Sequence, residues 1–365
     1  MLKTMLDERN LPKLKSRKQM IDLLLENEYG VLPSIPYEMS ISEPKILEKR
    51  YSGGLCTHST VDVTITTSLG SHTFKVDRVL HNDNQTHPFF VSLNFESAMP
   101  YKYCPLEEVS DRGFSILSFC YKDVTSDNKD FNDGLAKVLL ANGQDTPSTA
   151  GKIMIWAFAA MRVLDYAYTL QGLDYNLCAV VGHSRLGKTA LVTGMLDERF
   201  KFVFSNNSGC SGAALSRGNS GVVNKKEGTL NDSCYYRYGE NISDITTVFP
   251  HQFCKKYQSF TKNNFADDFD QHYLLATIAP RHLYVSSASK DSWADPTSEF
   301  LNCVASSKAY EDLGLEGLIH DNRLPQVGER FIQGRIGYHL RFGPHFLSRL
   351  DWNNFMDYIT LHKND

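Results

Sequence analysis

Two apolar rhythms alternate along this chain. Between Glu43 and Leu80 the period is two: Val61, Val63, Ile65 and Thr67 face one way, and Phe74 and Val76 resume the alternation after a break. With Ser68–Leu69–Gly70–Ser71 as the turn, this predicts an antiparallel hairpin near the start. Beyond it, unbroken apolar runs replace the alternation at Phe89–Asn94, Phe114–Phe119, Leu177–Val181, Phe202–Ser205 and Leu283–Ser287. Such runs belong to strands covered on both faces. A further apolar run, Ile336–Leu340, reads as the last strand. Helical spacing separates them. Ile153, Ile155, Trp156, Ala159, Ala160, Val163, Leu164 and Ala167 line one face of a helix from Ala150 to about Gln171. Other helices are predicted over Met20–Leu25, ending at Tyr29–Gly30, directly after Ser184, over 298–312 and over 351–362. Strands alternating with helices, led by a hairpin, predict an α/β fold: a mostly parallel central sheet with an antiparallel N-terminal region.

No internal repeat or low-complexity tract interrupts the pattern. A single domain over 1–365 is expected, with 1–40 as an N-terminal helix and loop. Residues 212–265 are polar and weakly periodic. They are expected to form an insertion over the carboxyl edge of the sheet, where such folds bind ligands.

Composition excludes several classes. Hydrophobic residues make up 42% and charged residues 22%, the net charge is −4, and no Lys/Arg stripe marks a nucleic-acid binder. Lys13, Lys15, Arg17 and Lys18 read as the solvated start of a helix. No apolar run reaches transmembrane length, so no membrane span is expected. Eight cysteines include no Cys-x-x-Cys pair, so neither a structural zinc site nor another cofactor is expected. Met1–Arg9 lacks the apolar core of a secretion signal. A cytoplasmic location with reduced thiols follows, or a secreted one if a leader has been trimmed away. A monomer is expected.

The chemistry centres on Val180–Leu191, Val-Val-Gly-His-Ser-Arg-Leu-Gly-Lys-Thr-Ala-Leu. An apolar strand, a tight glycine turn, Ser184 at the tip and an immediate helix form the layout of a nucleophile elbow. The usual elbow pattern places glycine two after the serine. Here Leu186 stands there, and Gly187 follows. Serine needs a base, and the base needs an orienting acid. In α/β-hydrolases the acid and then the histidine follow the serine in the chain. Asp291 follows the strand ending near Ser287, while Asp295 precedes Pro296 and suits a helix cap. His345 lies in a loop after Gly343–Pro344, while His339 lies within the last strand. Asp291 and His345 are preferred. Arg185 follows the nucleophile, so its amide is the expected oxyanion donor, and its guanidinium adds charge at the same oxygen. Lys188 lies one helical turn after Ser184. Trp293 either offers a face to a sugar ring or packs its own loop. Gly182–Thr189 also matches the phosphate-loop pattern, which keeps a nucleotide-binding module as the rival reading. No strand-ending aspartate offers a magnesium partner for it.

Gly182-His-Ser-Arg-Leu-Gly-Lys-Thr-Ala190 resembles the Gly-Cys-Ser-Arg-x-Gly-Lys-Gly-Ala elbow of the glucuronoyl esterases, carbohydrate esterase family fifteen. Asp197–Phe200, Ser208–Ala214, Asp270–His272, Ala279–Arg281 and Trp293–Pro296 also resemble segments of that family, so the likeness covers residues 80–360. The resemblance implies an α/β-hydrolase three-layer sandwich without metal. It implies a serine esterase acting on 4-O-methyl-glucuronic acid esters of glucuronoxylan, with another carbohydrate esterase, such as an acetylxylan esterase, as the alternative. Ser184 would be nucleophile, His345 base and Arg185 oxyanion donor. Lys188 would bind sugar hydroxyls, and Trp293 would contact the uronate. Two positions depart from the family. Asn207 stands where many members carry a glutamate acid, so the acid has to come from Asp291 or, as the alternative, Asp295. His183 replaces the cysteine before the nucleophile. The family's glutamine and glutamate sugar ligands are sought within 241–257.

Overall fold

The runs of apolar residues do become strands, and their order decides where the site sits. The computed structural model describes residues 1–218 and 239–365, with the backbone alone of 223–225 and 235–237. Among them the strands are β1 (Tyr37–Ile41), β2 (Lys45–Tyr51), β3 (Cys56–Thr67), β4 (Gly70–His81), β5 (His87–Asn94), β6 (Ser115–Cys120), β7 (Leu173–His183), β8 (Phe202–Asn206), β9 (Val223–Lys225), β10 (Tyr235–Arg237), β11 (His282–Ala288), β12 (Arg330–Phe331) and β13 (Ile336–Arg341). The helices are α1 (Leu2–Arg9), α2 (Arg17–Leu24), α3 (Leu106–Asp111), α4 (Tyr121–Val124), α5 (Gly134–Leu139), α6 (Lys152–Ala167), α7 (Arg185–Leu196), α8 (Ile242–Val248), α9 (His272–Ala276), α10 (Pro296–Glu311) and α11 (Arg349–Leu361).

An eleven-stranded sheet runs β1-β3-β4-β6-β5-β7-β8-β11-β13-β12, with β2 also paired to β3. From β6 to β13 every neighbouring pair is parallel. The β3–β4 hairpin is antiparallel and in register from Cys56↔His81 to Thr67↔Gly70, around the predicted turn. Successive residues of the parallel strands feed opposite layers, as the pleat requires. Phe89, Val91, Val180 and Val203 pack with buried residues of α6, α7 and α10. Phe90, Val181, Phe202 and Phe204 pack on the other face with α3 and with Trp352, Phe355 and Tyr358 of α11. The result is helix, sheet, helix, consistent with an α/β-hydrolase fold.

Two details differ from the sequence reading. Residues 1–40 are more than a helix and a loop. α1 precedes α2, a π-helical turn at Leu25–Tyr29 extends α2, and β1 joins the sheet edge by pairing with β3. β1 escapes detection because it is largely exposed and so lacks a strong alternation. The expected insertion at 212–265 is likewise structured in part: β9 and β10 pair antiparallel, and α8 begins at a capping box between Asn241 and Asp244. The remainder of that prediction, on 219–222, 226–234 and 238, lies outside the described residues. No helix among the described residues is long and apolar enough to cross a membrane.

The displaced glycine of the elbow has a packing reason. A Cβ on Gly182 would sit 2.0 Å from the Leu186 carbonyl oxygen, so the turn closes only with glycine there. Leu186 itself is buried in the core. Gly187 is the position that presses on β8 and its loop: a Cβ there would meet Ser205 Oγ at 3.0 Å and Ser208 Cβ at 3.1 Å. The close approach thus falls one residue later than in the usual elbow. Gly182→Ala is expected to cost about 3 kcal/mol or more of unfolding free energy, because backbone rather than a movable side chain must yield. Urea unfolding followed by fluorescence checks this, and a loss below about 1 kcal/mol would refute the close-packed turn.

Candidate active site

Four adjacent strands end side by side. β7 delivers Ser184, β8 delivers Asn207, β11 delivers Asp291, and β13 leads to His345. Ser184, Asn207, Asp291 and His345 line one cavity of about 350 Å³, together with Arg185, Lys188, Glu240, Gln252 and Trp293. Ser184 has φ 58° and ψ −127° at the cap of α7, a sparsely populated conformation that lifts the side chain clear of the turn. Its amide is anchored on the Asn206 carbonyl at 2.9 Å. The amide of Arg185, in the first helical turn, is among those an α-helix leaves without an internal acceptor.

His345 Nδ1 and Asp291 Oδ2 are 2.5 Å apart. With that nitrogen donating, Nε2 keeps its lone pair, the state a general base needs. Asp291 is buried, and burial alone would raise its pKa. Hydrogen bonding from His345 and from the Asn207 amide outweighs this and holds it below the usual carboxylate range. Asn207 Nδ2 donates to the same oxygen at 2.7 Å. The asparagine at the end of β8 is therefore a hydrogen-bond partner of Asp291. His183, its ring tilted against His345 with 4.4 Å between ring centres, is pushed down to about 3 by burial and stays neutral.

The competing residues are accounted for elsewhere. His339 is buried between Tyr284 OH at 2.9 Å and Asp351 at 2.8 Å, a cluster that also holds Arg341. Asp295 caps α10, accepting from the Ser298 amide at 3.1 Å.

The other side chains are more constrained than their positions in the sequence suggest. The Lys188 ammonium donates to the Ser208 carbonyl at 2.6 Å, to the Cys210 carbonyl and to Glu240 Oε1 at 3.1 Å. Three donors thus have three acceptors. This geometry also separates the segment from a phosphate loop, whose lysine reaches into the ligand site. Trp293 is 45% exposed, and its indole N–H donates to Glu240 Oε2 at 2.7 Å. Arg185 is paired with Asp127 and lies over the Phe249 ring at 4.6 Å. Sequence reasoning missed Glu240 and Asp127 as site residues, while Gln252 is the one glutamine within the 241–257 window in which a glutamine ligand was sought. Glu240 falls one residue outside the window searched, and the only local signal near it is the cap at Asn241.

Among the described residues, His282, His362 and Asp365 bring possible metal-ligand atoms within 4.8 Å of one another. They lie at the opposite end of β11 from this cavity. The Arg335 guanidinium already sits 2.7 Å from His282 Nε2.

Glu299 on α10 supports the loop beneath the site. It accepts from the Gly209 amide at 3.0 Å and from Ser287 Oγ at 2.5 Å. Full burial raises its pKa to about 8, so the fold prefers the protonated acid. Its stabilising contribution is complete below the ordinary carboxylate range and is lost as pH rises through about 8. Glu299→Gln, which mimics the protonated form, is expected to flatten the decline of Tm between pH 6 and pH 9. Melting curves across that range test it, and an unchanged slope would contradict it.

A family model for "Glucuronyl esterase, fungi" matches residues 63–314. The chain belongs to the glucuronyl esterase family. The chain is 34% identical over 259 residues to "Carbohydrate esterase MZ0003" from an unknown prokaryotic organism, covering 70% of this chain and 55% of that protein. It is 24% identical over 307 residues to a 4-O-methyl-glucuronoyl methylesterase of Podospora anserina, covering 82% of this chain and 56% of the other. The chain therefore spans about half the length of these curated relatives. Among solved structures, a promiscuous CE15 esterase from a marine bacterial metagenome superposes with a TM-score of 0.80 at 27% identity, covering 95% of this chain and 91% of that one. Within the glucuronyl esterase family, then, this chain has an aspartate after β11 and an asparagine after β8 around one histidine.

Proposed function

We propose that this family member is a serine esterase that hydrolyses esters of glucuronic acid, including its 4-O-methyl form, on carbohydrate. The observation that carries the reading is the single cavity holding Ser184 on its strained elbow, His345 tied to Asp291, and Arg185 beside the nucleophile. His345 takes the proton of Ser184 as its oxygen attacks the ester carbonyl. The oxyanion is held by the Arg185 amide and guanidinium. His345 returns the proton to the departing alcohol, and an acyl-enzyme forms. A water activated by the same imidazole then releases the uronic acid and restores the serine.

The names of the relatives support the uronate as acyl group. The cavity wall supports it too, since Arg185 lines it directly beside Ser184. Lys188 reaches a sugar only by giving up one of its three acceptors, so the pair Glu240–Trp293 is the better candidate for direct contact. A panel comparing a methyl ester of glucuronic acid with acetylated xylan tests the reading. Preferential turnover of the uronate ester is expected. Preference for acetylated xylan would instead support an acetyl esterase.

A further inference from the structure

The guanidinium beside the nucleophile is not free to choose its place. Asp127 lies in the loop that follows α4, and its side chain is 9% exposed. Its Oδ2 accepts from Arg185 and from Tyr121 OH at 3.1 Å. Its Oδ1 accepts from His251 Nε2 at 2.9 Å and from Gln252 Nε2 at 3.0 Å. A carboxylate has about four acceptor positions, and all are taken here. The donors come from separate parts of the fold: α4, the first residue of α7, and the 3₁₀ turn Pro250–Gln252 that borders the cavity.

We propose that Asp127 is the positioning residue for Arg185, fixing its guanidinium at the cavity wall where the oxyanion develops. The inference rests on the reading of Arg185 as an oxyanion donor. Three observations carry it. First, the two charges are largely buried together, and neither keeps its place without the other because an unpaired charge in such a site is strongly unfavourable. Second, the guanidinium is gripped from two directions, by the carboxylate and by the face of Phe249 at 4.6 Å, which leaves it little freedom to swing. Third, the same carboxylate ties down Gln252, so two residues lining the cavity, the arginine and this glutamine, are set by one group. A donor already in place when charge appears stabilises it without reorganisation, which is where such groups gain most of their catalytic effect. His251 completes the grip as a neutral donor: burial, then Lys152 and Arg185 nearby, push it down to about 4.

Asp127 touches no reacting atom in this account, so its substitution must be read through Arg185. Asp127→Asn and Arg185→Ala are made singly and together. They are assayed by steady-state kinetics on any ester the wild type turns over, 4-nitrophenyl acetate included. Each single variant is expected to lose roughly 10- to 100-fold in kcat, with KM changed less than about threefold. In the Arg185→Ala background, Asp127→Asn is expected to change kcat by less than about threefold. Multiplying losses in the double variant, or a change confined to KM, would overturn the positioning role while leaving Arg185 its own. An Arg185→Ala variant with wild-type kcat would overturn both readings together. Asp127→Glu serves where the asparagine variant does not fold. It keeps the charge and moves it by one methylene, so positioning predicts a clear kcat loss and a general need for charge predicts full recovery.

Discussion

Replacing Ser184 with alanine is expected to lower kcat on a uronate ester by roughly 10⁴- to 10⁶-fold, with the fold intact. The reaction has no other route in this cavity. Arg185 and the surrounding amides stabilise charge but supply no nucleophile, so what remains is the acceleration of direct water attack. The stability side is equally specific. Ser184 makes no side-chain capping bond to α7, and alanine meets the same φ of 58° that serine does. Tm is therefore expected to stay within a few degrees of the wild type. Labelling by a fluorophosphonate should disappear in parallel with activity. Residual kcat within tenfold of wild type would place the nucleophile elsewhere.

Asp291→Asn is expected to be nearly as severe, at roughly 10³- to 10⁴-fold in kcat. The carboxylate does two things for His345: it accepts from Nδ1 at 2.5 Å, and it supplies the negative charge that an imidazolium needs. An amide loses the charge outright. It also has a poor choice of orientation, because Asn207 already points a donor at the same place at 2.7 Å. If the new residue turned its own nitrogen toward His345, the ring would be driven to the wrong tautomer. Asp295→Ala provides the contrast. That carboxylate caps α10, so its loss should cost about 1 kcal/mol of stability while kcat stays within a few-fold of wild type. Kinetics and melts on both variants decide between the two aspartates, and the reverse outcome would transfer the acid role to Asp295.

The legible parts of the site are those set by neighbours in sequence. Gly182, Ser184 and the helix behind them form one local turn, so a short motif was enough to find the elbow. His345 and His339 differ in context because the first follows Gly343–Pro344 and the second lies in an apolar run, and of the two only His345 lines the cavity. Asp291 and Asp295 differ in context because Pro296 marks a helix start, and the structure places Asp291 at the cavity and Asp295 at the cap of α10. The parallel sheet was legible for the same reason, since strands buried on both faces are continuous apolar runs. What escaped depends on contacts between distant segments. Asp127 reaches Arg185 across 58 positions and Gln252 across 125, and nothing around it in the loop after α4 is unusual. Asn207 reads as a lost acid until its amide is found on Asp291, 84 positions away. Glu240 meets Trp293 across 53 positions. β1 was missed because an exposed edge strand has no hydrophobic rhythm to read.

The placement of the site on four neighbouring strand ends bears on how the protein comes into being. Ser184, Asn207, Asp291 and His345 meet only when β7, β8, β11 and β13 have all docked in that order. β11 joins β8 across a long intervening stretch of chain, and pairings of that kind form slowly because so much chain must be ordered before they are rewarded. β13 brings the histidine last, after every residue of the other three has been made. A chain growing from its N-terminus therefore carries Ser184 long before it carries His345, so on the proposed mechanism no ester cleavage is expected until the final strand closes the row. The proposed esterase activity would then be a report on the completed sheet.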